Sequence, residues 1–108
     1  MHFDTQTLTQ LIERCFDLSM SGAVPAQARA EYLAQGKRLR AQLMRLLGAR
    51  FAADSAEFHQ ASEALTETNA ALERSAKDLE SATLAVKRLG ELAGYLDKAL
   101  AVAGKVLS

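Results

Sequence analysis

His59 is the one position where this sequence could begin to hold a metal ion. Glu63 follows it by four residues, and on a helix that spacing puts an imidazole and a carboxylate on one face. A metal centre built between helices needs more ligands, such as Glu-x-x-His pairs from two helices. The only other histidine, His2, lies in a terminus prone to fraying. His59 is therefore read as a solvated histidine beside an acid, and no metal or cofactor is expected. Cys15, the single cysteine, falls among Leu8, Leu11, Ile12 and Phe16 at helical spacing, where a thiol behaves as a small buried hydrophobe. A nucleophilic cysteine would want a histidine or a cation beside it, and the sequence supplies neither. Phosphate loops, dinucleotide fingerprints and zinc spacings are missing as well. With no acid, base, nucleophile or ligand set to assemble, the chain reads as non-enzymatic.

Phosphate binding is the other chemistry to weigh. Between Pro25 and Arg50 stand six basic residues, Arg29, Lys37, Arg38, Arg40, Arg45 and Arg50, against one acid, Glu31. A helix that binds nucleic acid wants its cations on one stripe. At about 100° per residue, with Leu39 as zero, Arg50 lies at about 20°, Arg40 at about 100° and Lys37 at about 160°. Arg45 and Arg38 follow at about 240° and about 260°. These cations encircle the helix, so a nucleic-acid partner is not expected. The formal net charge is zero, and no global field draws the molecule toward nucleic acid or anionic lipid.

The elements that would position any site are helical. A first helix is expected over about 5–20, capped by Asp4 or Thr5, with Leu8, Leu11, Ile12, Cys15 and Phe16 on one face. Gly22 suits a left-handed C-terminal cap, and Pro25 suits the first turn of the next helix. That second helix is expected over about 25–53, its broad apolar face formed by Tyr32, Leu33, Gly36, Leu39, Leu43, Leu46 and Leu47 with Met44 and Phe51. Asp54-Ser55-Ala56-Glu57 has the pattern of a capping box and marks a tight turn.

From Phe51 onward an apolar residue recurs every seventh position: Phe58, Leu65, Leu72, Leu79, Val86, Ala93, Leu100 and Leu107. Taking these as heptad position a, position d holds Ala61, Thr68, Ser75, Ala82, Leu89, Leu96 and Ala103. From Ala64 onward position g is also mostly apolar, with Asp78 the exception. The phase never resets, so a third helix is expected to run unbroken over about 55–106, a rod of ~75 Å. Gly90 and Gly94 are its only plausible break points, at ~1 kcal/mol each relative to Ala.

Compartment follows from what interrupts the apolar runs. The lone cysteine fits a reducing environment, and Met1-His2-Phe3-Asp4 lacks the basic and apolar regions of a signal peptide. The most apolar stretch, Leu89 to Leu107, contains Glu91, Asp97, Lys98 and Lys105, too many charges for a bilayer span. A soluble cytoplasmic protein is expected.

Charge distribution suggests how the helices meet. Seven acids (Asp54, Glu57, Glu63, Glu67, Glu73, Asp78 and Glu80) follow the basic block, against Arg74 and Lys77. Folding the chain back near Asp54 would place Arg50 by Glu57, Arg45 by Glu63, Arg40 by Glu67, Lys37 by Glu73 and Arg29 by Asp78 and Glu80. Each exposed pair contributes only ~0–1 kcal/mol, but together they specify an antiparallel arrangement.

The expected fold is a single all-α domain, 1–108: an antiparallel helical hairpin or coiled coil with a short N-terminal helix and a long C-terminal heptad helix. Beyond about Ala82 the long helix would outrun its neighbour and leave an apolar face uncovered. Leu89, Leu92, Leu96 and Leu100 are therefore the expected protein interface. The expected function is a non-catalytic interaction module that self-associates as a homo-oligomer or binds a partner protein. The alternatives are a small chaperone or immunity-type protein that masks a partner surface and, behind it, a nucleic-acid-binding helical protein. In composition the Ala/Leu-rich heptads are similar to many unrelated bacterial helical adaptors, and no motif singles out a family.

Overall fold

The protein folds as four helices: α1 (Thr5–Ser19), α2 (Ala26–Leu46), α3 (Ala56–Arg74) and α4 (Leu79–Leu107). The structure, a computed structural model, describes residues 1–74 and 78–107, with the side chains of 1–73 and 78–103. Ser75, Ala76 and Lys77 of the heptad register lie outside the described residues, as do the side chains of Arg74, Val106 and Leu107.

Local chemistry explains where each helix begins. Asp4 caps α1: its carboxylate accepts the Thr7 N–H at 3.0 Å and the Thr7 hydroxyl at 2.7 Å. Pro25 is the N-cap of α2, with φ −54° and ψ 143°, just ahead of the first helical turn where its missing donor costs nothing. Ser55 starts α3 by accepting the Phe58 N–H at 3.2 Å. The helix begins one residue later than a capping box on Asp54 would require, and the Ser55 hydroxyl itself donates to Glu57 at 3.4 Å. Gly22 does not provide a left-handed cap. No described glycine has positive φ, and α1 closes through the Met20 and Ser21 N–H groups, which donate to the Asp17 and Leu18 carbonyls at 3.1 and 3.2 Å.

The expected third helix is two helices. Asp78 starts α4, accepting the Ser81 N–H and the Ser81 hydroxyl, each at 2.9 Å, and this cap begins a new helix four residues beyond Arg74. The ~75 Å rod is thereby replaced by a body 45 × 20 × 19 Å. Its length matches α4 alone, 29 residues at ~1.5 Å each. Gly90 and Gly94, the anticipated break points, lie within continuous helix. The second helix is also shorter than expected, ending at Leu46, and 47–55 forms the connection.

The helices pair as α1 with α2 and α3 with α4, and the two hairpins join mainly through α2 and α4. Gln42 meets Ala93 and Asp97 while Gln35 meets Gly90, so α2 and α4 run parallel. Thr68 meets the Arg88 carbonyl at 3.4 Å, so α3 and α4 run antiparallel. α1 touches α3 along a shorter stretch. Among the described residues the α2 and α3 backbones do not lie alongside one another, and neither do those of α1 and α4; each pair lies across a diagonal of the bundle. The expected packing of α2 on α3 is therefore overturned, and with it the pairing of Arg45, Arg40 and Lys37 with Glu63, Glu67 and Glu73 inside one molecule. The chain does reverse direction after α2, but 47–55 carries it across the end of the bundle.

The core runs the whole length. Phe3, Phe51 and Phe58 close one end, with Phe3 edge-on to Phe58 at 6.2 Å and Phe51 5.0 Å from it. Met1 and Phe51 exchange two backbone hydrogen bonds of 2.8 Å, which hold the N-terminal segment against that cluster. Gly36 lets α1 approach α2 closely. A Cβ there would sit 3.1 Å from Phe16 Cε1 and 3.3 Å from Cys15 Cβ. On α4 the heptad register holds: Ala82, Leu89, Leu96 and Ala103 at d, Ala85, Leu92 and Ala99 at g, and Ala93 and Leu100 at a are all buried. The small residues among them let neighbouring helices approach, as the sequence pattern requires.

Candidate interaction surface

The four leucines expected to form an interface are inside the molecule. Leu89, Leu92 and Leu96 are fully buried and Leu100 is 6% exposed, all within the core cluster of a single chain. The expectation rested on a rod whose far half lacked cover. Because α4 packs back along α3 instead of continuing it, α2 and α3 cover that face. Little exposed surface remains at these side chains.

The chemistry-bearing residues are likewise placed structurally. Cys15 is fully buried, and desolvation pushes its thiol up to about 12. Tyr32 beside it is also buried, and desolvation raises its phenol to about 12. Neither ionises near neutral pH. His59 is exposed, and its Nε2 lies 2.9 Å from the Ala53 carbonyl, so the ring braces the 47–55 connection instead of pairing with Glu63. Among the described residues no group of three or more His, Cys, Asp or Glu is placed to hold a metal ion. No helix among them is long and apolar enough to cross a membrane.

A polar cluster fixes the α2–α4 seam. Gln42, 4% exposed, donates from Nε2 to the Ala93 carbonyl at 2.8 Å and to Asp97 Oδ1 at 2.7 Å, and Arg38 donates to Asp97 Oδ2 at 3.0 Å. The Gln42 bond first, then the Arg38 bond and the charges of Arg38 and Arg45, hold the Asp97 carboxyl below its ordinary value of 3.8. A carboxyl lowered on folding contributes stability that is present above the unfolded value and is lost as pH falls through the lower folded value. Asp97→Asn should therefore flatten the loss of stability that the wild type suffers below about pH 4. Urea melts at neutral and acidic pH check this, and parallel acid limbs for the two proteins would contradict it.

What the bundle leaves outside is more distinctive. The outward ridge of α2 carries Leu33, Lys37, Arg40 and Met44 and is continued by the C-cap residue Leu47, spaced three and four residues apart, all exposed. The sequence reading placed Leu33, Met44 and Leu47 in the core, but they are 38%, 66% and 59% exposed. Tyr32, Gly36, Leu39 and Leu46 point inward, and the other three turn away from them with Lys37 and Arg40. Across the diagonal, the outward ridge of α3 carries Glu63 and Glu67 with Gln60 and Ala70. Beside it an open groove of about 520 Å³ is lined by Glu67, Ala70, Ala71, Leu84, Ala85 and Arg88. Among the described residues only two ion pairs form, Arg38–Asp97 at 3.0 Å and Arg88–Glu67 at 3.8 Å. Lys37, Arg40 and Arg45 take part in neither. The signal that could have located the α2 ridge was present in the sequence: Leu33, Met44 and Leu47 share a helical angle with two cations.

Comparison of the chain with known protein families, with characterised proteins and with solved structures finds no match.

Proposed function

We propose that this chain is a non-catalytic helical interaction module that binds another polypeptide through the outward ridge of α2. The observation that carries the reading is the exposure of Leu33, Met44 and Leu47 on a helix whose other face is fully committed to the core. Large apolar side chains held at helical spacing on a rigid bundle are the usual anchors of helix-on-helix recognition, and the cations between them add orientation. Nucleic-acid binding is the weaker reading, because the crest of the ridge is methionine and leucine, with Lys37 and Arg40 set among them. The module would work by surface contact, whether it assembles with its own kind or masks a partner.

A photo-crosslinking amino acid in place of Met44, activated in the native cell, tests this. Expected are adducts with another polypeptide that vanish when Leu33→Ser and Leu47→Ser are added. The absence of any polypeptide adduct, or adducts indifferent to those two substitutions, would refute it.

A further inference from the structure

We infer that the partner is a second copy of this chain, whose acidic α3 ridge receives the basic and apolar α2 ridge of the first. The inference rests on the interaction reading above and names its partner. α2 carries five basic residues and one acid, whereas α3 carries four acids, Glu57, Glu63, Glu67 and Glu73, and one basic residue, Arg74. Read in opposite directions the two ridges match, Arg40 with Glu63 and Lys37 with Glu67, while Arg45 lies about 140° from Arg40 around α2. Such matching would normally be used inside the molecule, yet the fold places α2 and α3 on opposite corners, where the two sets never meet. The complementarity is therefore left for contacts between molecules.

The direction of the helices suits this use. α2 and α3 run antiparallel within one bundle, so two copies standing side by side in the same orientation bring α2 of one against α3 of the other, antiparallel. Shape agrees as well as charge. The groove along α3 and α4 offers Ala70, Ala71, Leu84 and Ala85 to the protruding Leu33, with Glu67, 3.8 Å from Arg88, at its edge for Lys37. A symmetric contact of α2 on α2 is disfavoured, because it would set Lys37 and Arg40 against themselves. The contact is head-to-tail, each copy keeps one ridge free, and association continues beyond the dimer. One helix ridge is a small interface, so assembly is reversible and rises with concentration.

Sedimentation velocity on the full chain tests this with paired charge reversals. The wild type should show a mass rising with concentration above the 11.7 kDa of one chain, and falling again at high salt. Lys37→Glu/Arg40→Glu should weaken association at least about tenfold, and Glu63→Lys/Glu67→Lys should do the same. An equimolar mixture of the two variants should assemble again, because each then presents the ridge the other requires. Circular dichroism confirms that both variants are folded, as expected for substitutions at exposed positions. A wild type that stays monomeric at the highest attainable concentration overturns the inference, as does a mixture that fails to assemble. Adducts from position 44 with other proteins alone would overturn the second copy and leave the interaction reading standing. No adducts at all would remove both.

Discussion

A chain carrying Leu92→Glu and Leu96→Glu together should not fold. Both leucines are fully buried, on the face of α4 that the other helices cover. Each substitution removes a core side chain, a loss of ~2–5 kcal/mol by truncation alone. Each also puts a carboxylate into the apolar core cluster, at a further cost of several kcal/mol per ion unless it takes up a proton. Total stabilities of ~5–15 kcal/mol do not survive two such changes. Far-ultraviolet circular dichroism should show a largely unfolded chain at neutral pH and at every protein concentration. If these residues instead formed an exposed interface, the same variant would be a well-folded monomer, and that outcome would sink the core described above.

The first helix and the inner face of the last were legible in the sequence, for the same reason. In each, apolar spacing and local cap chemistry point to one answer. Asp4 is followed by a Thr three residues on, and Leu8, Leu11, Ile12, Cys15 and Leu18 turn to one side. From Ala82 to Ala103 the a, d and g positions are filled with Leu and Ala, and all but the half-buried Val86 are buried. Periodicity reports which side of a helix is inside, and there it succeeded.

What periodicity does not report is where a helix stops. Leu72 and Leu79 are seven residues apart whether or not a turn lies between them, so an unbroken count was taken for an unbroken helix. The warning was Asp78, an acid at a packing position in the middle of the heptad run. A carboxylate on a packing seam is costly, but at an N-cap it satisfies orphan backbone donors, and Ser81 three residues later completes that pattern. The candidate surface was hidden by a second ambiguity. Complementary charge on α2 and α3 states that these faces suit one another without saying whether they belong to one molecule or two. The nine residues of 47–55 can span up to ~30 Å, so the connection permits neighbours and diagonals equally. Leu33, Met44 and Leu47 then entered the presumed core simply by being apolar, although α2 has more apolar residues than its buried face can use.

The sharpest test of four helices against three compares Leu72→Ala with Leu79→Ala. In an unbroken heptad both occupy position a, and both substitutions would open a cavity at similar cost. In the bundle they are unlike. Leu72 is 5% exposed near the end of α3, packed in the core cluster, and its truncation should destabilise by ~2–5 kcal/mol. Leu79 is the first residue of α4, directly after the Asp78 cap and 62% exposed, while the buried face of that helix begins at Ala82. Its replacement removes little buried area and introduces the residue with the best helix propensity, so the change should fall within about ±0.5 kcal/mol. Urea unfolding of the two variants, with denaturant slopes equal to the wild type, reads the difference directly. Equal losses at both positions would mean that residue 79 is packed as residue 72 is. That would restore the continuous helix and return α2 and α3 to being neighbours, removing the charge separation on which the assembly contact depends.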